Sequence, residues 1–251
     1  MSRNRVRLGV PALIALTGLA FAGCTTPLQV NAGAVELSLE AGSGWLHKHP
    51  LFLGLSMRTP PQIAIWVEDT GGNYVGTLFV TKKSATQGWL ASAGEGLAPS
   101  EIRRPEALPA WSHRRGVVYP DGLYMPTAAM PVADAVTAAT PKEGFSLALE
   151  PAAGLRQFRI LAEINQSLDF NPDYPEDAAE GGPGYSGGAF GSGQPSLVYY
   201  ADIDLDSATD EYVFALLGQG SADGSDGTIT AVSGVTDAVN ILGRMTAKVA
   251  K

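Results

Sequence analysis

Apolar and polar side chains alternate with a period of two along much of this chain, a pattern that suits half-buried strands and does not suit helices. Val35, Leu37 and Leu39 alternate with Glu36, Ser38 and Glu40. Residues 62–68 and 74–80 read as two strands joined by Asp69-Thr70-Gly71-Gly72-Asn73, a hairpin with a Gly-rich loop. Phe145, Leu147 and Leu149 mark another strand, and residues 155–164, 196–205, 211–217, 228–232 and 244–249 mark the rest. Thirty Gly and 17 Pro among 251 residues, with no collagen-like period, favour many turns and few long helices. The expected fold class is all-β: an antiparallel, Ig-like or fibronectin-like β-sandwich with short helical turns and one long Gly-rich loop. The helical turns belong to residues 99–115, and the loop to residues 171–195. No internal repeat and no second hydrophobic core stand out, so residues 35–251 are expected to form one domain.

The first residues are of another kind. Arg3, Arg5 and Arg7 precede fifteen uncharged residues, 8–22, ending in Phe21-Ala22-Gly23-Cys24. This run is long enough for the apolar part of a signal peptide and shorter than the roughly 20 residues of a membrane-spanning helix. Small residues before a lone cysteine resemble the lipobox of bacterial lipoproteins. That resemblance implies a signal peptide over residues 1–23, lipidation of Cys24 and a tether over residues 24–34. Cleavage would remove three Arg and leave 228 residues with 14 basic and 25 acidic side chains, a formal charge of −11. Such an acidic surface repels phosphate backbones, so no nucleic-acid partner is expected. A periplasmic protein held on a membrane by its lipid anchor is expected instead. Thr25 stands where many inner-membrane lipoproteins carry Asp, which points by resemblance to the outer membrane.

Several constellations imitate chemistry that the rest of the sequence does not complete. A single Cys excludes haem attachment through a Cys pair, iron–sulfur ligation and a thiolate zinc site. His47 and His49 would share a strand face, but no third ligand stands at a diagnostic spacing, so no metal is expected. Asp202, Asp204 and Asp206 lack the Gly and Glu of a calcium loop and alternate with Ile203 and Leu205, as on a strand with one solvated face. Gly184-Tyr185-Ser186-Gly187-Gly188 satisfies G-x-S-x-G but sits in coil with no His after His113. No catalytic residue is assigned.

The most informative segment is Asp134-Ala135-Val136-Thr137-Ala138-Ala139-Thr140. It resembles the D-x-x-[S/T]-G-A-T sequence on which the bacterial flavin transferase esterifies FMN to the final Thr, departing from it at Ala138, where Gly is usual. The resemblance implies covalent FMN on Thr140, with Asp134, Thr137, Ala138 and Ala139 forming the recognised segment. Such a target needs an exposed hydroxyl and small neighbours rather than a perturbed pKa. The blocks 63–69, 104–111, 134–141, 163–169 and 193–199 are together similar to a bacterial family of predicted periplasmic proteins of unknown function. Its members accompany flavin transferases and PepSY-type membrane reductases. The resemblance implies electron transfer between such a reductase and an unnamed acceptor, by a carrier that is itself a substrate of the transferase.

Two polar groups fit that setting. Glu163, Asn165, Ser167, Asp169 and Asn171 recur at every second position, so in an extended chain they point one way: a second recognition face, a hydrogen-bonded rim, or the solvated side of an edge strand. Arg103, Arg104, His113, Arg114 and Arg115 gather around Trp111 and would suit a flavin ring or a phosphate, or simply offset the acidic surface. The alternative function is a cofactor-free, Ig-like binding or assembly module of the periplasm.

Overall fold

The computed structural model describes residues 19–20, 34–50, 56–92, 94–132, 136–138, 142–152 and 154–251. Its strands, in chain order, are β1 (Leu19–Ala20), β2 (Val35–Ala41), β3 (His47–Pro50), β4 (Ser56–Thr59), β5 (Gln62–Glu68), β6 (Tyr74–Thr81), β7 (Val136–Ala138), β8 (Phe145–Leu149), β9 (Gln157–Asn165), β10 (Leu197–Asp204), β11 (Glu211–Val213), β12 (Ala215–Gln219) and β13 (Leu242–Val249). Helix α1 spans Lys82–Thr86 and α2 spans Pro109–Arg114.

Two sheets face each other. One has the order β1-β8-β2-β13-β11 and the other β12-β10-β9-β5-β6-β7, while β3 and β4 form a separate ribbon. The protein is an all-β sandwich. Alternation has the expected consequence: Val35, Leu37 and Leu39 of β2 enter the core with Leu147 of β8 and Met245, Ala247 and Val249 of β13. From the opposite sheet Ile63, Ile65 and Val67 of β5 meet them, together with Ile160, Ala162 and Ile164 of β9.

The other face of the six-stranded sheet is also covered, and this corrects the expectation of a single core. Ala64 and Trp66 of β5, Leu161 of β9 and Val198 of β10 pack against Ala85, Trp89, Ile102, Leu108, Trp111 and Met125. These partners come from the stretch between β6 and β7, which folds over the sheet as an outer layer. Strand β5 is therefore buried along its whole length. Trp66 and Trp111 have no exposed surface, and each finds a partner for its indole N–H: Glu68 Oε1 at 2.9 Å and Thr77 Oγ1 at 2.9 Å.

Three local departures from the sequence reading have simple causes. The expected strand over 211–217 is two strands in different sheets, because the chain crosses the sandwich at the buried Phe214. The expected strand over 228–232 is reduced to one bridge between Gln219 and Thr230. Among the described strands pairing is antiparallel except between β6 and β7, where the chain, after crossing the outer layer, runs beside the last residues of β6 in the same direction.

Candidate functional site

The motif segment reaches the sheet at its rim. Val136, Thr137 and Ala138 pair with Phe79, Val80 and Thr81, and β7 is the last strand of the order. Asp134, Ala139, Thr140 and Cys24 lie outside the described residues.

Close to this edge the described residues form a cavity of about 360 Å³. Its walls are Pro60, Pro61 and Gln62 at the start of β5, Thr81 at the end of β6, Lys82, Lys83 and Thr86 of α1, and Gly88. The local sequence builds it. Pro60 and Pro61 cannot donate to a ladder, so regular pairing begins only at Gln62. Thr81 closes β6 by turning its hydroxyl inward, where Oγ1 accepts the Ile63 N–H at 2.7 Å. Gln62 is buried at 2% exposure, and its Nε2 donates to Ser167 Oγ at 3.1 Å. Its Oε1 is buried with no partner. Burial pushes the Lys83 amine below its ordinary value. A volume of this order matches small-molecule sites, and its lining combines apolar rings, an unspent acceptor and two ammonium groups.

The polar run of β9 lies elsewhere and does something different. Glu163 and Asn165 share a face, as the spacing predicts, but that face looks into the outer layer and both residues are buried. Glu163 Oε1 accepts the Ala110 N–H at 3.1 Å and the Ser196 hydroxyl at 2.6 Å, while Oε2 accepts the Trp111 N–H at 2.7 Å. Pro109 has no N–H to offer, so this carboxyl satisfies the first free donors of α2 from the neighbouring sheet. Asn165 donates to the carbonyls of Glu106 and Ala107 and to Ser192 Oγ, each at 3.1 Å. Beyond Asn165 the strand ends, and Leu168 takes a left-handed φ of 60°. Asp169 is thereby turned to the Gly-rich loop and to His47, 3.6 Å away. Of the three readings of this row, the solvated edge does not hold for Glu163 and Asn165: β9 is a central strand, and these groups are hydrogen-bonded to the outer layer and the loop.

Burial dominates the electrostatics there. It raises Glu163 to about 7 against the pull of its three hydrogen bonds, and Glu106 to about 8. Asp169 is raised to about 6, first by burial and then by Asp237.

The basic cluster is spent on packing. Arg103 binds Asp121 at 2.7 Å and two carbonyls, Arg104 pairs with Glu95, Arg114 meets Glu68 at 3.0 Å, and Arg115 lies over the Trp111 ring. His113 Nδ1 lies 2.9 Å from the Pro109 carbonyl oxygen, and its ring stacks on Tyr124. The His47 and His49 rings do share a strand, 4.5 Å apart, with His49 bonded to Thr59; among the described residues no three metal-ligating side chains gather. Asp202 of β10 pairs with Arg159 and Asp204 accepts from Gln157, the expected solvated face, while Asp206, in the turn beyond the strand, pairs with Arg156. Ser186 is buried in its loop with no partner for Oγ, unlike an exposed nucleophile.

The sequence reading passed over Gln62, Lys82 and Lys83. Two adjacent lysines after a strand were the available signal, and nothing in the spacing announced that Pro60 and Pro61 would face them. No protein-family model, curated protein or solved structure matches the chain.

Proposed function

We propose that the chain is a lipid-anchored periplasmic flavoprotein, held by lipid on Cys24 and carrying FMN in phosphodiester linkage to Thr140. It passes electrons from a PepSY-type membrane reductase to an extracytoplasmic acceptor. The observation that supports the reading is the edge position of β7: Val136–Ala138, the middle of the recognised segment, form the last strand of the six-stranded sheet. Ala138 pairs with Thr81, which is also a wall of the cavity.

Loading is a phosphoryl transfer. The Thr140 hydroxyl oxygen bonds to the phosphorus on the flavin side of FAD, the pyrophosphate P–O bond breaks, AMP leaves and the hydroxyl proton is released. FMN supplies reversible one- and two-electron transfer when bound. The chain supplies the attachment oxygen, small neighbours at Ala138 and Ala139, and the cavity walls.

Co-expression with a flavin transferase should give a band whose flavin fluorescence survives denaturation, and Thr140→Ala should abolish it. Label persisting in that variant would refute the assigned site. An unlabelled native protein would leave the cofactor-free binding module.

A further inference from the structure

We infer that the cavity walled by Gln62, the two prolines and Lys82–Lys83 receives the isoalloxazine ring, with Gln62 binding its imide edge and the lysines stabilising its reduced form. This inference rests on the flavin reading above.

Three features of the cavity specify such an occupant. A buried amide oxygen without a partner costs about 1–3 kcal/mol, so a ligand that offers it an N–H gains what water is not placed to give. Gln62 Oε1 is such an atom. If the amide is turned over, the unpartnered atom becomes a donor instead, and an imide edge, C=O–N–H–C=O, answers either orientation. A fully ionised phosphate or carboxylate offers only acceptors and an alkyl chain offers nothing, so neither matches Gln62 as well.

The second feature is charge. Lys82 and Lys83 stand on one wall, and neither ammonium is engaged in an ion pair or hydrogen bond among the described residues. Two uncompensated cations favour an occupant that gains negative charge, which an isoalloxazine does on reduction. Third, Pro60 and Pro61 present flat apolar surface and no N–H, a surface suited to a ring face and unsuited to a hydrated ion. The basic residues that the sequence had offered for this role are all occupied elsewhere, which leaves Lys82 and Lys83 to perform it.

The test uses the mature chain, flavinylated by co-expression with the transferase and verified by intact mass. Acrylamide should quench its flavin fluorescence several-fold less than that of free FMN, and Gln62→Leu should move the quenching toward the free value. Lys83→Met should lower the two-electron midpoint potential by about 30 mV, equivalent to a tenfold loss in relative stability of the reduced form. Lys82→Met, at an exposed position, should shift it in the same direction. Flavin that is attached yet quenched like free FMN, with its potential unmoved in both lysine variants, overturns the cavity assignment and leaves the carrier reading standing. A mature chain that never acquires flavin overturns both.

Discussion

Buried carboxyls with raised pKa values make stability fall as pH rises, Glu106 over the widest range. Glu106 is 2% exposed, its Oε1 has no partner, and burial holds its proton to about pH 8, whereas in the unfolded chain it is lost near 4.5. Between those values the folded state binds more protons, so stability falls as pH rises through the window. Glu163 adds the same sign between 4.5 and about 7. Glu106→Gln removes one of these titrations, and it should match the parent near pH 4 and exceed it by about 1–3 kcal/mol at pH 9 in urea unfolding. A difference that does not change with pH would contradict the assignment. Glu163→Ala should cost about 3 kcal/mol or more, since it strands the Ala110 and Trp111 N–H groups and the Ser196 hydroxyl and leaves a hole. Glu163→Gln keeps a carbonyl acceptor and should cost clearly less in the same measurement.

At the level of elements, the Gly-rich loop turns from a compositional oddity into a docked strand-like segment. Leu168 N–H donates to the Gly191 carbonyl at 2.9 Å, Asp169 N–H to Ser192 at 2.8 Å, and Gln194 N–H returns to Asp169 at 2.8 Å. Gly193 sits between these bonds at φ 81°, where a Cβ would lie 2.4 Å from the Asp169 backbone. Both sterics and dihedral require glycine there. Gly193→Ala should lower stability by at least about 1–3 kcal/mol, read from the unfolding midpoint, whereas Gly181→Ala, with open space around its Cβ position, should cost only its dihedral strain. The sequence marked this loop by its glycines, but which of them were indispensable depended on where the end of β9 would lie.

For the whole molecule, the layers divide the polar groups. The sandwich and its outer layer take up the four tryptophans, the cluster of Arg103, Arg104, Arg114 and Arg115 and the buried Glu163 and Asn165 of β9, while β7 stands at the rim of the six-stranded sheet. Among the described residues no helix is long and apolar enough to cross a membrane. In the proposed protein, membrane attachment is assigned to the lipid on Cys24. Cys24→Ala should release the protein from the membrane fraction, as followed by fractionation and detergent partitioning, and retention of that variant would contradict the lipid anchor.

The amino-acid order settled what is local. Period-two alternation in Val35–Ala41 and Phe145–Leu149 and the continuous apolar run within Gln62–Glu68 prescribe strands, and Asp69-Thr70-Gly71-Gly72 prescribes the turn between β5 and β6, where the Asp69 Oδ1 accepts the Gly71 and Asn73 N–H groups at 2.8 and 2.9 Å. Alternation fixes which residues share a face but carries no record of what covers it. That is why the spacing of Glu163 and Asn165 left a recognition face, a hydrogen-bonded rim and a solvated edge all open until packing buried them, and why one expected strand over 211–217 concealed a crossing between sheets. Tertiary packing alone decided that the stretch after β6 folds back over the sheet, that Glu163 meets the first turn of α2, and that Gln62, Lys82 and Lys83 border one cavity. Those contacts join residues about 20 to more than 50 positions apart, where only the closure of the fold, and no local propensity, determines who meets whom.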